Sequence, residues 1–152
     1  AWLIDIFGDI IEVDGMKDHL SEIDADIDDI YMLQLRHENH IFGQLIVDVI
    51  ARDAVRHIRV LGRDGSIEWN AANKQVRLFK ADTKEWDTID LGSGSVEQGY
   101  INPEEPYINE IGSFLACIKD SKQPDFGFDD YLKTVHALYK SEKSDESGQR
   151  QK

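Results

Sequence analysis

The chain has 152 residues, 41% of them hydrophobic, with 30 acidic against 17 basic side chains and a net charge of −13. That length supports one domain with a real core, and the charge excludes a general nucleic-acid binder, which needs clustered Lys and Arg against phosphate. The single cysteine, Cys117, excludes an internal disulfide and a cysteine-built metal cage; within SFLACI it reads as a buried, inert thiol. No apolar run reaches the roughly 18 residues of a membrane span, and no basic leader precedes a secretory segment. The expected setting is therefore cytoplasmic, with neither membrane nor nucleic acid as a partner.

AWLIDIFGDI opens the chain as an apolar helical turn. Trp2, Leu3, Ile6 and Phe7 share one stripe, and Gly8 is the expected stop. A helix that starts so abruptly, without an initiator Met, reads as part of a longer protein. Residues 9–16 (DIIEVDGM) read as a strand, and 17–29 as an acidic loop. From 28 to 70 four β-runs follow, alternating with period two and separated by turn residues. Tyr31, Leu33 and Leu35 alternate with Met32, Gln34 and Arg36. In 41–50, Leu45, Val47 and Val49 alternate with Ile46, Asp48 and Ile50, so both faces are largely apolar. Residues 56–61 and 66–70 flank the turn GRDG, and 74–80 and 86–91 supply two more strands. Residues 92–99 are rich in Gly and Ser and read as a mobile connection.

Two helices are expected near the end. One starts at Asn102-Pro103, with Glu105 placed for a capping box and a stripe of Tyr107, Ile108, Ile111, Leu115 and Ile118. The other spans about 128–145, with Phe128, Tyr131, Leu132, Val135 and Leu138 as its stripe. Each buried side chain would contribute about 1.5–3 kcal/mol before entropic costs. The last residues, SEKSDESGQRQK, are polar and expected to fray, with 149–152 a tail. Strands followed by helices, without βαβ alternation, imply an α+β fold: an open, mainly antiparallel sheet with helices packed on one face.

The chemical motifs are sparse. DADIDD (24–29) alternates carboxylates like a calcium loop, but Asp29 stands where glycine is needed and Leu35 where a bidentate Glu is needed, so a solvated acidic loop is the better reading. His37 and His40 flank a hairpin turn with no third metal ligand evident. GRDG lacks the spacing of a nucleotide cradle. The cluster Arg52, Arg56, His57 and Arg59 is unusual in so acidic a chain. It reads either as a solvated edge or as a patch for an anion or a subunit, since Arg forks match carboxylate and phosphate.

The order of these features resembles the carboxy-terminal domain of the Gfo/Idh/MocA family, the glucose–fructose oxidoreductase-like NAD(P)-dependent sugar dehydrogenases. The segments that carry the resemblance are WLIDIFGDIIEV, RHENHIFGQLIVDVIAR, HIRVLGRDGSIEWN, EEPYINEIGSFLACI and FDDYLKTVHALYKSEKSDESG, which span nearly the whole chain. The resemblance implies a substrate-binding and oligomerisation domain over 1–148, whose amino-terminal Rossmann domain is absent. That absent domain would bind NAD(P) and supply the lysine of a Glu-Lys-Pro motif. The family's His and Asp would fall immediately before Trp2, with Ala1 where the Asp is expected. No catalytic, cofactor-binding or metal residue therefore carries over, and this segment alone is expected to be inactive. Arg52, Arg56 and Tyr107 are the candidates for substrate or interface contact. The resemblance also implies a homo-oligomer formed through the sheet face, a sugar-like small molecule as substrate, and the Rossmann domain as an internal partner. The alternative is a stand-alone interaction or ligand-binding module with an open sheet face.

Overall fold

A computed structural model describes residues 1–53, 55–92, 104–124 and 126–152. The fold is α+β, with two open antiparallel sheets and three helices among the described residues. The single domain expected from length divides into two compact units. One combines Ala1–Ile50 with Gln123–Lys152, and the other is Ala51–Lys122, lying between them in sequence.

The first unit begins with α1 (Trp2–Phe7), which ends at Gly8 as expected. Its buried residue is Ile4, not a member of the expected stripe, and Leu3 joins the core while Trp2 and Ile6 stay exposed. Three strands follow: β1 (Ile10–Asp18), β2 (Ile30–His37) and β3 (Phe42–Asp48), antiparallel in that order. The register sets Val13 against Leu35 and Gly15 against Leu33, and Leu33 in turn against Leu45. These residues share one face because side chains alternate along a strand. Val13, Leu33 and Leu35 are the buried core there, with Leu3, Ile10, Tyr31 and Leu45 packed around them.

The last helix of the chain (Phe128–Ser147) lies on β1. Its expected stripe is not what it buries: Phe128, Tyr131, Leu132, Val135 and Leu138 are exposed, whereas Ser141 and Ser144 are fully buried. Small side chains allow the helix to approach where Gly15 has no Cβ. A Cβ on Gly15 would stand 3.0 Å from Leu33 Cδ2 and 3.3 Å from Ser141 Cβ. The outward amides of β1 find their acceptors on this segment. Val13 N–H donates to Gln151 O (2.9 Å), Gly15 N–H to Ser144 Oγ (3.0 Å) and Lys17 N–H to Asp145 Oδ1 (3.2 Å). Gln151 N–H returns a bond to Val13 O, and Arg150 Nη1 donates to Glu12 Oε1 at 2.6 Å. The expected fraying of 149–152 is thereby corrected: the tail's backbone completes an edge ladder. Higher on the helix, Glu142 accepts from Tyr31 Oη (2.9 Å) and pairs with Lys17, which also pairs with Asp28 at 2.6 Å. Burial, then the bond to Glu142, pushes the Tyr31 hydroxyl up to about 12.

The second unit is a four-stranded meander: β4 (His57–Leu61), β5 (Gly65–Asn70), β6 (Gln75–Lys80) and β7 (Glu85–Asp90). GRDG is a hairpin turn, with Gly62 N–H donating to Gly65 O at 2.8 Å. Gly65 is required because a Cβ would meet Phe79 O at 1.9 Å. One face of this sheet is a charged ladder: Glu68 pairs with Arg59 (3.3 Å) and Arg77 (3.6 Å), and Arg77 lies 4.2 Å from the Trp86 ring centroid. The other helix of this unit runs over Glu105–Asp120. Numbered in chain order, it is α2 and the helix on β1 is α3. The expected start at Asn102-Pro103 and the Gly/Ser connection at 93–99 lie outside the described residues. Within them, α2 carries Glu104 as its N-cap without a side-chain cap bond. Its apolar stripe forms as spaced but is exposed throughout, not buried as expected. Among the described residues no helix is long and apolar enough to cross a membrane.

Removing the Ser144 hydroxyl leaves the Gly15 amide without its acceptor. Ser144→Ala is expected to cost about 1–3 kcal/mol, and Gly15→Val, which forces α3 off β1, a similar about 1–3 kcal/mol. Urea unfolding checks both, and midpoints equal to that of the unaltered chain would refute the edge contact.

Candidate functional site

The face of the first sheet opposite α3 is assembled by register alone. Met16, Met32 and Ile46 stand side by side across β1, β2 and β3, followed by Asp14, Gln34 and Gln44, then Glu12, Arg36 and Phe42. Met16 is 69%, Met32 42%, Ile46 55% and Phe42 70% exposed. Thioether side chains adapt to an irregular partner, and a continuous apolar row rimmed by Gln and charge has the make-up of a contact surface. At the far end the Arg36 guanidinium lies 4.8 Å from the Phe42 ring centroid and 3.6 Å from Glu12. Shallow depressions lie along this face, one bounded by Met16, Met32, Gln34 and Gln44, another by Glu12, Arg36, Phe42 and Arg150. The opposite alternation of β3 is also uncovered at Val47, as expected of a strand apolar on both sides.

The residues singled out by sequence lie elsewhere. Arg52 and Arg56 are exposed and precede β4, His57 is exposed on β4, and Arg59 is engaged by Glu68. Tyr107, 67% exposed, lines the open apolar face of α2 with Ile108, Ile111 and Leu115. No described pocket holds Arg52, Arg56 and Tyr107 together. The Met16–Met32–Ile46 row was missed by sequence reasoning. Its signal is the pairing of strand parities, which needs the register as well as the alternation.

The histidines and the acidic loop take structural parts. His37 is 1% exposed: its Nδ1–H donates to Gly8 O at 2.7 Å, and its ring meets Phe7 edge-on at 5.8 Å. It thereby fastens the end of α1 to the β2–β3 hairpin. His40 occupies that hairpin turn with φ 59°. In the loop between β1 and β2, Asp29 is buried and accepts from the amides of Leu20 (2.8 Å) and Ser21 (2.7 Å). Those bonds hold its carboxyl down to about 2. Asp28 is drawn down by Lys17. These two carboxylates of DADIDD are therefore spent on closing the loop.

All ladders between the described strands are antiparallel, whereas a dinucleotide fingerprint needs a βαβ unit with a glycine turn feeding a helix N-terminus.

No family model matches the chain, and no curated protein matches it. Solved structures do match in fold. An oxidoreductase from Agrobacterium radiobacter, in complex with NAD+, L-tartaric acid and magnesium, superposes with a TM-score of 0.83 at 14% identity, over 98% of this chain and 45% of that one. An oxidoreductase domain protein from Kribbella flavida gives 0.80 at 18% identity, over 97% and 46%. Levoglucosan dehydrogenase, in complex with NADH and levoglucosan, gives 0.78 at 17%, over 98% and 46%. These structural neighbours are oxidoreductases, and this chain spans less than half the length of each of the three. The expected likeness thus holds at the level of fold.

The Asp29 carboxyl titrates lower folded than unfolded, where about 3.9 is usual. Its contribution is present above the unfolded value and is lost as pH falls toward about 2. Acid unfolding of the chain should therefore steepen in that window, and Asp29→Asn should flatten it. Identical acid profiles for the two chains would contradict the assignment.

Proposed function

We propose that this chain is the second domain of an NAD(P)-dependent oxidoreductase acting on a hydroxyl-bearing carbon of a sugar or sugar derivative. It would supply the substrate-facing and oligomer-forming part of a cytoplasmic enzyme. The observation that carries this reading is the likeness in fold, over 98% of the chain, to under half of a levoglucosan dehydrogenase complexed with NADH and levoglucosan. In this reading an amino-terminal Rossmann domain would hold NAD(P), which accepts the substrate hydride when bound. The present residues would shape the substrate side and hold subunits together. Arg52, Arg56 and Tyr107 remain the candidates for substrate or interface contact, with Arg forks suited to a polar or anionic substituent. The open Met16–Met32–Ile46 row supports a homo-oligomer joined through the sheet face.

The test is to express the full-length gene product and follow reduced nicotinamide absorbance with sugars and NAD+ or NADP+. A substrate-dependent rise is expected, and Arg56→Ala should raise KM several-fold with kcat little changed. An upstream reading frame without a Gly-x-Gly-x-x-Gly strand–helix segment, and no hydride transfer, would instead favour the stand-alone module.

The interface has its own test. Met32→Asp places a charge in the middle of the exposed row and should shift the oligomer to monomer by light scattering at high salt, with unchanged circular dichroism. An oligomer indifferent to the substitution would remove the sheet face as the contact.

A further inference from the structure

One groove in the first unit runs against the sign of the whole molecule. It lies between the start of β1 and the outer side of α3, lined by Lys133, His136, Lys140, Lys143 and Lys152, with Asp9 its single carboxylate. Lys133 is held by Asp9 at 3.0 Å and Lys143 by Glu146 at 2.6 Å. Lys140, His136 and Lys152 have no ion-pair partner among the described residues. On the helix, positions 133, 136, 140 and 143 recur at three- and four-residue spacing, so they share one face. From Lys133 to Lys143 the stripe is about 15 Å long at 1.5 Å per residue. Between the cations lie apolar surfaces, Ile10, Ala137 and the Tyr139 ring, which sits 5.6 Å from Lys143 Nζ. Cations strung along a helix, rather than converging on a point, suit an extended anion better than a small one. An acidic polypeptide segment is an anion of that kind.

The chain carries such a segment itself. Glu22-Ile23-Asp24-Ala25-Asp26-Ile27 alternates carboxylate with apolar side chain, and all six residues are exposed. The segment is ordered in advance. Amides of Ala25 and Ile27 donate back to Ile23 O and Ala25 O, both at 2.9 Å. Asp29 grips the amides of Leu20 and Ser21, and His19 Nδ1–H donates to Ile27 O at 2.7 Å. A preordered loop loses less entropy on binding. We infer that the acidic loop of one copy of this chain docks into the lysine groove on α3 of a second copy. Its carboxylates, from Glu22, Asp24 and Asp26, meet the lysines. The contact is distinct from the sheet face and is electrostatic, so it weakens as salt rises.

The experiment uses the full chain with Met32→Asp, which takes the sheet face out of play, and measures sedimentation at low and high salt. Self-association should persist at low salt and fall about tenfold or more at high salt. Lys140→Glu with Lys143→Glu should abolish it, as should Asp24→Lys with Asp26→Lys. Asp24 and Asp26 are exposed and Lys140 and Lys143 half-buried, and circular dichroism confirms folding. Combining the two pairs in one chain restores opposite charges and should restore association. A chain monomeric at all salts, association indifferent to either reversal, or weakening by the groove reversal with no restoration in the combined variant would each overturn the assignment. The last result would give the groove to another anion.

Discussion

The first unit depends on one contact, the closure of the β1 edge by the end of the chain. An edge strand presents a row of unpaired amides and carbonyls that must be paired, covered or left to another chain. Here Val13, Gly15 and Lys17 each donate outward, to a backbone carbonyl, a serine hydroxyl and an aspartate from 144–151. The partners are far apart in sequence, 129 residues in the case of Gly15 and Ser144. Loop-closure entropy rises only slowly with length, so the intervening unit can be long without forbidding the contact. What the contact does demand is small side chains. Ser141, Ser144 and Gly15 are the residues at the closest approach, and none could be bulky without lifting the helix.

Closing that edge and covering that face leaves the other face bare, and this is where structure turns toward function. The side of the sheet away from α3 carries methionines and isoleucine in register, whereas the second sheet carries a laced ladder of Arg59, Glu68 and Arg77 under Trp86. The apolar row gains most by meeting another surface, and the ladder satisfies itself. The basic groove on α3 is a third kind of surface, standing out because the chain around it is acidic.

Much of the fold was legible in the residues. Period-two alternation placed the seven described strands to within about two residues, and GRDG marked its hairpin. Gly8 marked the end of α1. The stripes of α1, α2 and α3 were legible as patterns but not as burial. Amphipathic spacing says which residues share a face, and only the tertiary partner decides whether that face is covered. In α3 the burial went to two serines, which no hydropathy pattern selects. Gln151 looked like a fraying tail because its bridge is made by backbone atoms, which composition does not report. His37 looked like a turn residue because its partner, the Gly8 carbonyl, is 29 positions away. The Met16–Met32–Ile46 row is spread over three strands, so it exists only once the register is known.

The claim on which the account rests is that the 144–151 segment seals β1. Amide hydrogen exchange in the intact chain tests it most directly. The amides of Val13, Gly15 and Lys17 should exchange as slowly as those of Leu33 and Leu35 in the sheet interior, since all open together. Exchange of those three at the rate of an unpaired edge strand, with the interior still protected, would contradict it.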